Sequence, residues 1–178
     1  MKDKESDFSV DIVNDLPNSA ILEPRQENVG ASRSVTYISK EDITKLFVGR
    51  NLAFISTLSR DGSPTVTPVW ADIEDDIILI NSFEGSAKVR NARRDPRVAL
   101  AIVETYNTYN MASIKGRVIE VTAEGADAHL HKLAKKYLGI GRYYYRTPKN
   151  KRVIIKIKPE KMIGISIHPA SLFLAYTP

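Results

Sequence analysis

There is no cysteine among the 178 residues. That excludes disulfides, thiolate metal sites and a cysteine nucleophile, and it fits a reducing compartment. No apolar run approaches the roughly 18 residues of a spanning helix. The opening "MKDKESDFSVD" lacks the apolar stretch of a secretory signal. The expectation is a soluble, cytoplasmic protein with no membrane partner. Histidine is scarce too: His129 and His131 fall on different faces of a predicted helix, and His168 precedes Pro169. No metal site is expected from them, and no nucleophile has a base and an orienter at suitable spacing. Catalytic residues are therefore unassigned.

Acidic residues are unevenly spread. Residues 1–30 carry three basic against seven acidic side chains, a net of −4, which leaves +9 on the remainder of a chain whose total is +5. Between Asp127 and Glu160 there is no acidic residue, while Lys132, Lys135, Lys136, Arg142, Arg146, Lys149, Lys151 and Arg152 crowd the segment. A basic body implies an anionic partner: a phosphate-bearing cofactor, an acidic substrate or a nucleic acid. The absence of a recognition helix or zinc-finger ligand set argues against nucleic acid. The basic segment either solubilises the surface or steers an acidic cofactor tail, and Tyr143, Tyr144 and Tyr145 within it are packing residues or an aromatic flap.

What is present organises into strands with helices between runs of them. Residues 1–34 form an extension without a core of its own, either poorly ordered or draped over a partner. Residues 35–168 form the domain and 169–178 an apolar tail. Ser39, Glu41 and Asp42 open a helix that Gly49 ends. "NLAFISTLSRDGSPTVTPVWADI" reads as two strands joined at Asp61-Gly62. "DDIILINS", "RVALAIV", "NMASIKGRVIEVT", "KRVIIKIKP" and "KMIGISI" supply further strands. A short helix capped by Ser86 stops before Pro96, and another carries its apolar stripe on Ala126, Leu130, Leu133 and Tyr137. The pattern predicts a mainly β fold, a small antiparallel barrel, closed or partly closed, with helices packed outside.

The stretch "GSAKVRNARRDPRVAL" places Gly85-Ser86 at a helix N-terminus directly after a strand, where backbone N–H groups and the helix dipole favour an anion. Lys88 and Arg90 fall in the first turn, where positive charge opposes the dipole unless an anion is bound. Together with the Asp61-Gly62 hairpin, "TPVW" (Thr67 to Trp70), a strand ending in Asn81-Ser82 and "KGRVIEV", this stretch resembles the pyridoxamine 5′-phosphate oxidase-like superfamily, and within it the F₄₂₀-dependent branch. The resemblance spans residues 40–163. It implies an FMN-binding split β-barrel that dimerises, with two flavin-type cofactors bound across the subunit interface. It places Lys88 on the cofactor phosphate, with Ser86 and Asn91 beside it and Asn81 and Ser82 at the phosphate end. Thr67, Pro68, Val69 and Trp70 would run along the ring. Many flavin-binding relatives carry Arg where this chain has Ser86 or Ala87, and the vitamin B6 substrate motif is missing. Coenzyme F₄₂₀ is therefore the preferred cofactor and FMN the runner-up. The implied activity is reduction of a small unsaturated or electron-poor substrate; the alternatives are an FMN-binding oxidase-like protein or a non-catalytic flavin carrier or sensor.

Overall fold

The computed structural model describes residues 35–144 and 151–167. The expected extension 1–34, the tail 169–178, His168 and Tyr145 lie outside them. Eight strands and three helices follow in the order β1 (Val35–Ile38), α1 (Lys40–Val48), β2 (Ala53–Leu58), β3 (Pro64–Val69), β4 (Ala71–Glu74), β5 (Ile77–Phe83), α2 (Ala87–Arg94), β6 (Arg97–Val103), β7 (Met111–Thr122), α3 (Ala126–Leu138) and β8 (Arg152–Ile167). All the strand pairings are antiparallel. The path is β3-β2-β6-β7-β8-β5-β4, with β1 added to the far end of β8.

The barrel expectation is corrected here. The sheet is open, and the fold is a mixed α/β arrangement of one eight-stranded antiparallel sheet with three helices. Its edges are β3, bonded to β2, and β4, bonded to β5, and among the described residues no ladder joins them. The cause lies in the chain: only Trp70 separates β3 from β4. The two strands therefore run on end to end, so they cannot lie side by side and close the sheet. Pro68, within β3, also has no N–H to give to a ladder.

Period-two alternation sets the two faces of the sheet. Ala53 and Ile55 of β2, Val98, Leu100 and Ile102 of β6, Ala112 and Ile114 of β7, and Val153, Ile155 and Ile157 of β8 point inward. There they meet Ile43, Leu46 and Phe47 of α1 and Val89 and Ala92 of α2 in one core. The α1 helix begins at Ser39, whose hydroxyl accepts from the Asp42 N–H at 3.1 Å. It seats against β8 at Gly164, where a β-carbon would come within 2.5 Å of Ile38 and 2.7 Å of Ile43. The third helix covers the opposite face of β5 and β8, where Leu79 and Ile154 pack with Ala126.

Turn chemistry fixes the hairpins. Gly62 takes φ +85° in the β2–β3 turn, and Asp61 accepts from Ser63 N–H at 3.0 Å. The β4–β5 turn puts Asp75 and Asp76 both at positive φ, the backbone of a two-residue type I′ hairpin. The strands read as "KRVIIKIKP" and "KMIGISI" are one, β8, bulged opposite Lys115 and Gly116.

Candidate functional site

The loop from β5 into α2 is built by a serine pair. Ser82 and Ser86, both buried, share a 2.9 Å hydrogen bond between their hydroxyls, and Ser86 caps α2 by accepting from the Val89 N–H at 3.4 Å. This holds the first turn of α2 against the end of β5, with Gly85 and Ala87 exposed around it. Lys88 is half-buried. Among the described residues it has no carboxylate or hydrogen-bond partner. Burial lowers its pKa below the ordinary lysine value, and the neighbouring positive charge of Arg152 lowers it further.

Arg152, which sequence reasoning did not single out, stands beside this junction. It opens β8 opposite Phe83 in the β5–β8 register, and its Nε donates to Asn81 Oδ1 at 2.8 Å. Asn81 is held in turn by donating to the Ala126 carbonyl at 2.7 Å. Only the pairing of β8 with β5 brings Arg152 beside Lys88, so no local sequence signal exposes it.

The other expected site residues divide into two groups. Asn91 is buried and both ends of its amide are used: it donates to Thr57 Oγ1 at 3.1 Å and accepts from Arg94 at 3.0 Å. It ties α2 to β2. On β3, Thr67 is half-buried, Pro68 exposed and Val69 part of the core, and among the described residues no strand pairs with one side of this edge strand. Trp70 stacks on Tyr137 with ring centroids 5.2 Å apart and 4° between planes, and meets Tyr143 edge-on at 6.1 Å. The Tyr137 hydroxyl locks the β3–β4 junction by accepting from Ala71 N–H at 3.1 Å and lying 2.8 Å from the Asn51 carbonyl. Ala71 pairs with Ile80, which brings Trp70 to the level of Asn81. An aromatic wall and a pair of cations thus share one end of β4–β5.

Such a pair of neighbouring cations, with a hydroxyl-capped helix N-terminus beside it, suits a compact dianion such as a phosphomonoester. A separate groove of about 620 Å³ lies between α3 and the strands, lined by Glu74, Glu120, Glu124, His129 and Lys132 among others. Its carboxylates repel an anion, which leaves the α2 side as the one suited to a phosphate. His129 sits between the two, buried, with Nδ1 3.5 Å from Asn81 Nδ2. Burial lowers its pKa below 6.5 against the opposing pull of Asp72 and Glu74. The unfolded chain therefore takes up this proton first as pH falls, so stability is lost below pH 6.5 down to the folded-state value. Thermal melts between pH 7.5 and 5 are expected to show a steeper loss for the native chain than for His129→Gln; equal slopes would remove His129 as the cause. Among the described residues no group of three His, Asp or Glu side chains is placed to hold a metal, and no helix is long and apolar enough to cross a membrane.

Comparison with known proteins bears on this geometry. The family model described as pyridoxamine 5′-phosphate oxidase matches residues 39–166. No curated protein matches the chain. Similar solved structures include an F₄₂₀ reductase at 22% identity, covering 66% of this chain and 93% of that one with a TM-score of 0.59. A conserved hypothetical protein from Mycobacterium tuberculosis is 25% identical over 79% and 91% of the two chains, TM-score 0.59. An FAD-binding protein from Mesorhizobium loti is 19% identical over 74% and 96%, TM-score 0.57.

Proposed function

The chain belongs to the pyridoxamine 5′-phosphate oxidase family, and from that premise we propose that it binds a phosphate-bearing flavin-type cofactor, FMN in the first place, and acts as an oxidoreductase on a small unsaturated or electron-poor molecule. One observation carries the reading: Lys88 is half-buried and without a carboxylate among the described residues, next to Arg152. A terminal phosphomonoester carries up to two negative charges and suits two cations. That favours FMN over F₄₂₀, whose phosphate is a diester with a single charge. F₄₂₀ stands as the second reading on the strength of the "AKVRNARRDPRVAL" motif and of Ser86 and Ala87 where flavin binders carry Arg.

When bound, the cofactor supplies hydride transfer through its ring. The protein's own groups do the rest. Lys88 and Arg152 neutralise the phosphate, Asn81 fixes the Arg152 guanidinium by the hydrogen bond to its Nε, and the Ser82–Ser86 pair sets the helix N-terminus toward it. The unpaired side of β3 at Thr67 and Pro68 offers backbone groups to a ring's polar edge, with Trp70 and the Tyr137 stack behind it as a rigid wall against water. Steady-state oxidation of the reduced cofactor, with and without nitro- and enone-type acceptors, tests the enzyme reading. Turnover only with an acceptor supports it, and tight binding without turnover makes the protein a carrier.

The proposal includes a homodimer. On the outer face of the sheet the register aligns Pro68, Phe54, Ala101, Ser113 and Ile163 in one row, and Phe54 is 39% exposed. Phe54→Asp would put a charge in the centre of this apolar row and should weaken self-association by about tenfold or more. Light scattering against concentration checks it; an unchanged dimer would place the interface elsewhere.

A further inference from the structure

The same outer face carries an unusual arrangement of charge at its other end. Arg97 of β6 lies directly opposite Arg117 of β7, which lies opposite Lys158 of β8; one step along, Lys115 lies opposite Lys161. All five are on one face, and like charges directly opposite across strands are destabilising. Two have local counter-ions, Arg97 with Asp95 at 2.6 Å and Arg117 with Glu160 at 3.3 Å. Among the described residues Lys115, Lys158 and Lys161 have none. On the β2–β3 side the same two rows turn apolar, with Val66 opposite Ser56, Ser56 opposite Ala99, and Pro64 opposite Leu58. The surface is a strip with an apolar half and a cationic half.

The chain itself contains a segment of matching pattern. Asp7, Asp11 and Asp15 recur every fourth residue, and so do their neighbours Phe8, Ile12 and Leu16, before Pro17. At helical spacing those sets form an acidic stripe beside an apolar one. Residues 1–30 carry the chain's acidic excess, a net of −4 on a body of +9. From Val35 back to Asp15 there is enough chain to reach any point of the sheet face, at about 3.3 Å per residue.

We propose that the acidic N-terminal segment around residues 7–16 docks on the outer sheet face, its aspartates on Lys115, Arg117, Lys158 and Lys161 and its apolar stripe on Val66, Leu58 and Ala99. The ladder of like charges is then compensated by the chain's own acids. The row proposed for dimerisation, Pro68 to Ile163, is the next one along the strands, so the docked segment borders that contact.

Zero-length carbodiimide coupling of the full-length, cofactor-free protein tests this, with peptide mapping of the new amide bonds. The expected result is that Asp7, Asp11 and Asp15 couple to Lys115, Lys158 and Lys161 at least about fivefold more than to the exposed Lys135 and Lys151, and that 0.5 M salt removes the preference. Coupling spread evenly over all lysines overturns the proposal. Proteolysis after Phe8 provides a second readout. It should quicken by about tenfold in both Asp7→Asn/Asp11→Asn/Asp15→Asn and Lys115→Gln/Lys161→Gln; an unchanged rate in both variants overturns the proposal as well. No cofactor enters either measurement, so the outcome is independent of the phosphate site.

Discussion

Replacing Lys88 with alanine is expected to weaken FMN binding by about 1–3 kcal/mol, roughly tenfold to a hundredfold, the range for a hydrogen bond to a charged group. The same loss is expected for Arg152→Ala. The double variant should lose less than the sum of the two, because both cations act on one phosphate and each partly stands in for the other. The cofactor-free protein should respond in the opposite sense. Half-buried Lys88 has its pKa lowered by burial and by Arg152, so its charge is a cost in the folded state. Lys88→Met keeps the aliphatic body and removes that cost, and its melting temperature without cofactor should be equal to or above that of the native chain. The sign with pH follows: the unfolded chain holds this proton more tightly, so stability rises with pH between the lowered folded-state pKa and the ordinary lysine value of 10.5, and Lys88→Met lacks that rise. A residue kept for binding loses affinity and not stability on substitution. If Lys88→Met melted lower and bound FMN as before, Lys88 would be a structural residue and the phosphate assignment would fall.

Phe47→Ala should cost about 3–5 kcal/mol of stability, the range for deleting a buried aromatic side chain. Phe47 is fully buried on the inner face of α1. In a closed barrel, inward side chains from all around the wall fill the interior; here the sheet is open, and α1 and α2 supply the missing side of the core. Little else can relax into the space left by the ring, because α1 is pinned at its start by Ser39 and seated on Gly164. Domains of this size are stable by about 5–15 kcal/mol, so the variant should melt well below the native chain while keeping the same secondary structure when cold. Val48→Ala, one residue along at an exposed position, is the control and should change stability by no more than about 0.5 kcal/mol. A loss of less than about 1.5 kcal/mol for Phe47→Ala would mean that the helix does not carry the core.

Local chemistry made much of the architecture legible. Ser39 and Gly49 bound α1, Ser86 caps α2 before Pro96, and Gly139 ends α3 with φ +74°. Those signals act within a few residues, which is why a sequence displays them. The Asp61-Gly62 turn was equally plain. What depended on long-range pairing was not. The open sheet follows from how β3 continues into β4 through Trp70, and β4 is too short to announce itself between "TPVW" and "DDIILINS". The Asp75-Asp76 turn hid because neither residue is glycine, although both take positive φ. Among the candidate site residues, Ser86 and Lys88 stand out at a strand–helix junction and Ser82 comes with the family resemblance, whereas Arg152 comes from a strand that begins 63 residues after Val89 and meets Asn81 only through the β5–β8 register. The family resemblance places Asn91 beside the phosphate, and in the structure its amide bonds Thr57 and Arg94, a long-range tie that the local sequence does not display.

The central claim is that Lys88 and Arg152 form the phosphate end of a flavin-type cofactor site. The most direct test is a pair of fluorescence titrations of the cofactor-free protein at moderate salt, one with FMN and one with riboflavin, which share the ring and differ in the phosphate. The account predicts that FMN binds at least about tenfold more tightly and that the difference disappears in the Lys88→Ala/Arg152→Ala variant. Equal affinity for FMN and riboflavin in the native protein would contradict it.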